Sequence, residues 1–229
     1  MKSQNVYWLS GNVRLLRIPP TWEEYYSSLK ELPRWLRQPV SFLVESLPLL
    51  KRYRVRGVLD LGCGVGKHCV YLAKDGFDVV GVDVSKSALK IAQELTGRER
   101  LVHVPLARAT MTNLPFNDSC FDAVIALSVI HHALERDIAK AVDEIHRILK
   151  KNGVFLANLV SVKDPRYGTG RKVENNTFSI PEAFEERHFE ELHHFFTRRE
   201  ILRMLAHFGK AVVELLKDKP HYWKITATK

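Results

Sequence analysis

Cysteine is scarce in this sequence, and no segment is long and apolar enough to span a bilayer. The 229 residues include three cysteines, Cys63, Cys69 and Cys120, without the paired spacing of a zinc site or a disulfide scaffold. A membrane-spanning helix needs about 20 predominantly apolar residues. Residues 1–12 contain no apolar core of a signal peptide. We therefore expect a cytoplasmic protein with reduced cysteines and no membrane span.

Apolar residues are abundant enough to form one domain. They make up 45% of the sequence, and α/β chains of 229 residues commonly fold around a single core. The net charge of +9 is uneven: residues 1–57 contain ten Lys and Arg against four Asp and Glu, residues 58–159 twelve of each, and residues 160–229 thirteen against ten. The basic flanks would suit an anionic ligand or an RNA backbone, or serve general solubility.

The most informative feature is a glycine-rich turn after an apolar strand. Residues 58–66 read Val-Leu-Asp-Leu-Gly-Cys-Gly-Val-Gly, and a helical pattern begins at Lys67. Glycines let the backbone approach a ligand closely, and a helix N-terminus behind such a turn indicates a nucleotide-like ligand. A P-loop is excluded because Leu61 replaces its first glycine and His68 its hydroxyl residue. A dinucleotide fingerprint is excluded because its third glycine is absent.

A second acid ends the next strand-like run. Residues 77–83 read Phe-Asp-Val-Val-Gly-Val-Asp, which places Asp83 17 residues after Gly66. In Rossmann-type sites an acid near this spacing accepts hydrogen bonds from a ribose diol. The order Asp-x-Gly-x-Gly-x-Gly at 60–66, together with Asp83, resembles the class I S-adenosylmethionine-dependent methyltransferases, and among them the small-molecule, methyltransferase-11-like members.

The resemblance implies S-adenosylmethionine as the cofactor. An acid at Asp60 suits the cationic sulfonium and ammonium groups of this ligand, whereas a phosphate site would avoid one. Asp83 would bind the ribose, and Val84 and Met111 would lie beside the adenine. Thr110 stands where the family usually has an acid that contacts the adenine amino group, so a weaker, neutral acceptor is expected there. The predicted cofactor residues are Asp60, Gly62, Cys63, Gly64, Gly66, Asp83, Val84, Thr110, Met111 and Leu127.

Two adjacent histidines follow the presumed fourth strand, at the edge where open α/β sheets bind ligands. The resemblance places His131 and His132 near the transferred methyl group, where one of them would orient the acceptor or take its proton. Helix capping or packing is the alternative. Metal binding is not expected, because no Cys or carboxylate partner lies at a recognised spacing.

Strand-like and helix-like segments alternate along the chain. Strands are expected near 57–61, 78–83, 101–105, 121–127 and 153–160, and helices near 67–75, 86–96, 135–150 and 198–208. This succession predicts a parallel sheet with right-handed crossovers. Two further strands, near 210–216 and 221–227, are close enough to require a hairpin. We therefore expect an α/β, Rossmann-like, doubly wound and mostly parallel seven-stranded sheet with a C-terminal antiparallel hairpin and an N-terminal helical lid.

Two segments lie outside the cofactor core. Residues 1–54 are rich in aromatic residues and prolines, and we expect short helices that cover the active site and exclude water. Residues 55–229 are expected to form the methyltransferase domain, within one compact domain overall. Residues 161–197 are expected to be an insertion that resembles a loop of small-molecule members. The predicted acceptor residues are Tyr26, His194 and Phe196, with His193 beside them.

The predicted reaction is in-line transfer of a methyl group from S-adenosylmethionine to an acceptor, with a small molecule favoured. Three alternatives stay open. Val-Ile-His-His at 129–132 also resembles tRNA methyltransferases that act on modified wobble uridines. The aromatic N-terminal segment would suit a quinone-precursor or other lipid-linked acceptor. The departure at Thr110 leaves room for a protein that binds S-adenosylmethionine without catalysis.

Overall fold

A computed structural model describes residues 20–101, 103–184 and 187–229, which form two β-sheets and surrounding helices. The strands in chain order are β1 (Gly57–Leu61), β2 (Asp78–Asp83), β3 (Leu106–Arg108), β4 (Phe121–Leu127), β5 (Leu149–Val160), β6 (Arg171–Glu174), β7 (Thr177–Phe184), β8 (Arg187–His194), β9 (Lys210–Leu215) and β10 (Tyr222–Thr228). The helices are α1 (Pro20–Ser28), α2 (Ser41–Arg52), α3 (Lys67–Lys74), α4 (Lys86–Arg98), α5 (Glu135–Ile148) and α6 (Arg198–Met204), with a 3₁₀-helix at Arg34–Leu36.

The larger sheet has seven strands in the order β3-β2-β1-β4-β5-β10-β9. Strands β1 to β5 pair in parallel, whereas β10 runs antiparallel to β5 and β9. The predicted doubly wound sheet with a C-terminal antiparallel hairpin is confirmed. Strand order reverses between β1 and β4, and in open α/β sheets the carboxyl ends of such strands frame the ligand crevice.

Apolar residues on both faces bury the sheet between helices, as expected for parallel strands. Every residue of β1 is buried. On α5 the predicted apolar face is buried through Ile138, Ala141, Val142 and Ile145. None of the helices within the described ranges is long and apolar enough to cross a membrane.

The end of α5 differs from the prediction, which continued the helix to residue 150. The helix ends at Ile148, and Leu149 takes an extended conformation as the first residue of β5. Leu149 is fully buried and pairs with Phe121 of β4. Burial of this side chain therefore outweighs the helix-ending signal of the basic residues and glycine that follow it.

The third strand also lies later than predicted. The chain first completes a turn after α4, in which the Leu101 amide donates to the Thr96 carbonyl and the Val104 amide to the Leu101 carbonyl. The Pro105 carbonyl then accepts from the Gly81 amide of β2 at 2.9 Å. Pairing with β2 starts at Leu106, which lies opposite Gly81.

The insertion at 161–197 is largely a second sheet, in the order β6-β7-β8, and not a loop. Its strands are antiparallel. Phe178 and Ile180, two residues apart on β7, are buried together with Phe195. This alternation is the mark of a half-buried strand, but the polar and charged residues around it concealed the pattern in the sequence.

The predicted N-terminal lid divides into two parts. Leu43 of α2 is fully buried in the same cluster as Val58 of β1, so α2 covers the sheet as part of its helical layer. Tyr26 of α1 instead belongs to a cluster with Val65, beside the glycine-rich turn. Residues 1–19 of the predicted lid lie outside the described residues.

Candidate active site

A cavity of about 450 Å³ opens at the carboxyl ends of β1, β2 and β4, with α1 and β8 completing its wall. Pockets for small ligands commonly measure about 300–1,000 Å³. The predicted residues that line the cavity are Tyr26, Gly62, Asp83, Val84, Thr110, Met111 and His132. The predicted residues outside its lining are Asp60, Cys63, Gly64, Gly66, Leu127, His131, His194 and Phe196.

The glycine-rich turn brings backbone directly to the cavity. Gly62 has φ +67°, and a Cβ there would lie 2.7 Å from a methyl carbon of Val129. Gly64 has φ +53°, and a Cβ there would lie 2.7 Å from the Tyr26 hydroxyl. Both positions require glycine, for conformation and for space. The turn is therefore a cradle in which only bare backbone approaches a bound group.

Asp83 joins this cradle to the end of β2. Its side chain is buried, and its two oxygens accept hydrogen bonds from the amides of Gly64 and Ser85, each at 2.8 Å. Burial raises the pKa of this carboxyl above its ordinary value, against the effect of the amide hydrogen bonds. A carboxylate has about four lone-pair sites. Asp83 therefore keeps acceptor capacity for a ligand that donates hydroxyl groups in the cavity.

Asp60 lies apart from the cavity, on the face of β1 that packs against α3. The Cys69 thiol donates to Asp60 Oδ2 at 3.3 Å, and His68 Nδ1 lies 3.9 Å from Oδ1. Burial raises the pKa of Asp60 to about 7, so the carboxyl is partly protonated at neutral pH. The sequence predicts an anion at this position that faces a cationic ligand. The alternation of side chains along the strand instead turns it toward α3.

One wall of the cavity is formed by the segment after β3. The hydroxyls of Thr110 and Thr112 lie 3.2 Å apart, and both residues line the cavity with Met111. Arg147 of α5 is hydrogen-bonded to the backbone of the segment that follows Thr112. It donates to the carbonyls of Leu114 (3.1 Å) and Phe116 (2.8 Å), and its further partners are the carboxylates of Glu144 and Asp118.

Replacing Arg147 should loosen this wall. We expect Arg147→Gln to lower stability by about 2 kcal/mol, since several net contributions of about 0.5–1.5 kcal/mol per hydrogen bond are lost together. The melting temperature should fall by about 4–8 °C. Arg136→Gln, on the exposed face of the same helix, is the matched control for calorimetry and should leave the melting temperature within about 1 °C. Equal melting temperatures for the two variants would refute the role of Arg147.

Another wall of the cavity is formed by His132 and its neighbours. The His132 ring contacts the Trp22 ring edge to face, with the ring centroids 5.0 Å apart. Its Nδ1 lies 3.0 Å from Glu191 Oε1 and 3.2 Å from the Leu192 carbonyl. Burial lowers the pKa of His132 to about 4, although the charge of Glu191 opposes this shift. At neutral pH the ring is therefore an uncharged base that faces the cavity.

The other predicted acceptor residues are buried beside the cavity. Both ring nitrogens of His194 are hydrogen-bonded, Nδ1 to the Thr177 hydroxyl and Nε2 to the Glu200 carboxylate, each at 2.7 Å. The ring therefore joins β7 to α6. Phe196 is 1% exposed within the main core. His131 is 1% exposed, and burial lowers its pKa well below the usual value. Glu191 was missed in the sequence because it lies in a run of charged residues without periodicity.

Helix α1 is attached to the start of α4 by one carboxylate. Glu23 accepts from the hydroxyls of Ser85 (2.8 Å) and Ser87 (2.6 Å) and from the Ser87 amide (3.2 Å). Burial raises the pKa of Glu23, but hydrogen bonds from Ser87 and Ser85 outweigh it and hold the pKa below its ordinary value. This attachment places Trp22 and Tyr26 over the cavity.

Without the carboxylate, α1 should open more often. We expect Glu23→Gln to speed amide exchange in residues 20–28 by about 10-fold, the factor for a loss of about 1.4 kcal/mol. Glu24→Gln is the control, because Glu24 is the exposed neighbour on the same helix. Hydrogen exchange read by mass spectrometry gives the answer for each segment. Unchanged exchange at 20–28 in Glu23→Gln would show that the serine contacts do not hold the helix.

Known proteins are similar to the part of the chain that contains β1 to β5. Residues 59–157 match the family model described as a methyltransferase domain. Glycine/sarcosine N-methyltransferase of Parasynechococcus marenigrum (strain WH8102) is 38% identical over 111 residues, which are 47% of this chain and 39% of that protein. The chain spans less than half the length of the first four curated relatives it matches, between 38% and 49%.

Solved structures show the same fold. The PH0226 protein of Pyrococcus horikoshii OT3 superposes with a TM-score of 0.69 at 23% identity, over 90% of this chain and 98% of that one. The 1,6-didemethyltoxoflavin-N1-methyltransferase of Burkholderia thailandensis gives 0.64 at 18% identity, over 95% and 93%. Residues 59–157 therefore resemble a methyltransferase domain, and the solved structures show that the chain shares their fold.

Proposed function

We propose that this protein is an enzyme that transfers a methyl group from S-adenosylmethionine to a small molecule in the cytoplasm. The observation that carries the proposal is the buried carboxylate of Asp83 beside the Gly62 turn, on one wall of a cavity of about 450 Å³. A site for an adenosyl group needs such an acceptor for its ribose and such bare backbone beside it. Three free cysteines are consistent with a reducing compartment.

The residues present match the requirements of the cofactor. Asp83 would accept hydrogen bonds from the ribose hydroxyls, with Val84 and Met111 as apolar contacts for the adenine. Thr110 would offer a neutral acceptor at the adenine edge. When bound, S-adenosylmethionine supplies a methyl group already activated by a positively charged sulfur. The protein therefore has to align the acceptor and exclude water, and it needs no nucleophile of its own.

His132 is the residue we assign to the acceptor. Its uncharged ring lines the cavity, with Nδ1 directed to Glu191 and the Leu192 carbonyl. An N–H at Nδ1 leaves a lone pair at Nε2, which can accept a hydrogen bond or a proton from an acceptor O–H, N–H or S–H group. The Glu191 carboxylate would stabilise the imidazolium that results. Trp22 and Leu192 add apolar walls that suit a small organic acceptor.

A small molecule is favoured because α1 and β8 close over the cavity. The Burkholderia thailandensis neighbour is described with 1,6-didemethyltoxoflavin and S-adenosylhomocysteine bound. RNA is the second candidate, favoured by the exposed arginines at 198, 199 and 203 along α6. Binding of total tRNA at low salt, lost steeply as salt rises, would support it. Absence of such binding would dismiss it.

Activity is tested by supplying labelled S-adenosylmethionine with a metabolite extract or with total RNA. We expect an enzyme-dependent mass gain of one methyl group in a small molecule, together with formation of S-adenosylhomocysteine. Asp83→Ala is the inactive control. Binding of S-adenosylhomocysteine by calorimetry without any methylated product would instead indicate a cofactor-binding protein that does not catalyse transfer.

A further inference from the structure

Three imidazole rings meet beside the acceptor side of the cavity. One ring nitrogen from each of His131, His132 and His193 lies within 4.8 Å of the other two. Ring centroids are 4.1 Å apart for His131 and His132, and 4.8 Å apart for His132 and His193. His131 and His193 are 1% and 2% exposed, so the cluster is shielded from bulk water.

The cluster joins two distant parts of the chain. His131 and His132 follow β4, whereas His193 lies in β8. The backbone amide of His194 donates to the His131 carbonyl at 2.8 Å, which fixes one segment against the other. Functional constellations keep their geometry when the elements that carry them are held in this way.

A carboxylate and a carbonyl orient two of the rings. Glu191 Oε2 lies 3.1 Å from His193 Nε2, and Oε1 lies 3.0 Å from His132 Nδ1. The Leu192 carbonyl lies 3.2 Å from the same Nδ1. In metal sites the far nitrogen of a ligating histidine commonly donates to such an oxygen, which fixes the tautomer and the direction of the lone pair. The cluster therefore has both a set of ligands and an outer layer that orients them.

The charges around the cluster also favour a cation. Glu191 brings a carboxylate into a buried site, and a buried charge needs a compensating partner. Arg166 also places a positive charge near Glu191, and its guanidinium is hydrogen-bonded to the Asp164 carboxylate at 2.9 Å and to the Tyr222 hydroxyl at 3.1 Å. His131 Nδ1 is buried without a hydrogen-bond partner among the described residues. His194, by contrast, uses both its nitrogens in hydrogen bonds and is excluded as a ligand.

We propose that His131, His132 and His193 bind one divalent transition-metal ion, with zinc the best match, beside the acceptor cavity. Three imidazoles with a fourth position open to another ligand are a common set in catalytic zinc sites. Zinc–nitrogen bonds of about 2.0–2.1 Å place tetrahedral ligands about 3.4 Å apart, so the rings must close by roughly 1 Å. Rotation of the side chains can supply that movement.

The ion would face the acceptor, because His132 lines the cavity. We infer that the acceptor binds it through an oxygen or sulfur atom, and this part rests on the proposed function. A metal ion lowers the pKa of such a group and so favours the anion that attacks the methyl carbon. A His132 ring that coordinates the ion would not act as the proton acceptor. Removal of the ion with a chelator distinguishes these two roles.

The test uses the full chain, stripped with a chelator and titrated with zinc against a chromophoric competitor. We expect one zinc per chain. His131→Gln and His193→Gln should each weaken binding more than about 100-fold, and Glu191→Gln about 10- to 100-fold, the range for outer partners of ligands. His207→Gln is the control, because His207 and His146 form a separate pair with ring centroids 4.6 Å apart. It should bind zinc like the wild type.

Cobalt(II) substitution of the wild type gives a second readout that needs no variant. We expect the intense visible bands of four-coordinate cobalt without a thiolate charge-transfer band. A dissociation constant for zinc weaker than about 10 µM, wild-type affinity in both His→Gln variants, loss of zinc in His207→Gln, or a thiolate band would each overturn the proposal. S-adenosylhomocysteine binding is measured in parallel. A chain that binds zinc but not this compound refutes the proposed function alone, and the reverse result refutes the metal site alone.

Discussion

Asp83→Asn is expected to weaken binding of S-adenosylhomocysteine by about 10- to 100-fold. The amide nitrogen of asparagine cannot accept from one of the two backbone amides, of Gly64 and Ser85, that the carboxylate holds, so the turn contributes to this loss. The substitution keeps the shape of the side chain but removes the charge that strengthens hydrogen bonds from the ribose. Hydrogen bonds to charged groups contribute about 1.5–3 kcal/mol, and each 1.4 kcal/mol corresponds to a factor of ten in affinity. Isothermal titration calorimetry measures the change directly.

Asp78→Asn provides the matched control. Asp78 begins the strand that Asp83 ends, and its side chain is exposed. Its replacement should leave the dissociation constant within about 2-fold of the wild type, the spread of neutral surface changes. If Asp83→Asn bound as tightly as this control, the ribose would have to lie elsewhere.

The pKa of Asp83 adds a pH signature. Burial raises this pKa above the ordinary value of 3.8. The ribose hydroxyls donate to the ionised form, so affinity should fall as the pH falls through the raised pKa, at a higher pH than an exposed aspartate would give. The Asp83→Asn variant should lack this dependence between pH 4 and the pH of maximal affinity.

His132→Phe is expected to lower kcat/KM for methyl transfer by about 100- to 10,000-fold, the range for loss of a positioned proton acceptor. Phenylalanine keeps a planar ring against Trp22 but has no nitrogen to face the acceptor. The dissociation constant of S-adenosylhomocysteine should stay within about 3-fold, because the cofactor residues lie on β1, β2 and the segment after β3. His103→Gln, on the surface, is the control.

The pH profile separates a chemical role of His132 from a structural one. Burial lowers the pKa of the ring to about 4, so the active, uncharged form should persist down to about that pH, well below the usual 6.5 of histidine. A rate that rises through pH 4 and then stays level would match a proton acceptor in this environment. Full activity in His132→Phe would contradict the assignment, whatever the profile of the wild type.

The glycine turn at Gly62 and the strand-ending Asp83 could be predicted from the sequence, and both residues line the cavity. Alternating glycines and an acid at the end of a strand are compatible with few other backbone conformations, because each is selected by the local geometry of the chain. The strands at 57–61, 78–83 and 121–127 coincide with the predicted ones for the same reason. The predicted placement of Asp60 is wrong: the residue lies near the strand end, but the alternation of side chains along β1 turns it toward the face that α3 covers.

The acceptor half could not be predicted in the same way. Glu191 and His193 lie beside His132 because β8 pairs with β7 and its end is hydrogen-bonded to the segment after β4. No spacing in the sequence records that contact. His131 and His132 lack metal-binding partners at a recognised spacing in the sequence, but the fold brings His193 to them from about 60 residues away.

The most direct measurement is a crystal structure of the protein with S-adenosylhomocysteine. We expect the ligand in the cavity at the carboxyl ends of β1 and β2, with its ribose hydroxyls on the Asp83 carboxylate and its adenine between Val84 and Met111. Density for the ligand at any other place, or a cavity that stays without it at saturating concentration, would contradict the central claim that this turn and this carboxylate hold an adenosyl group.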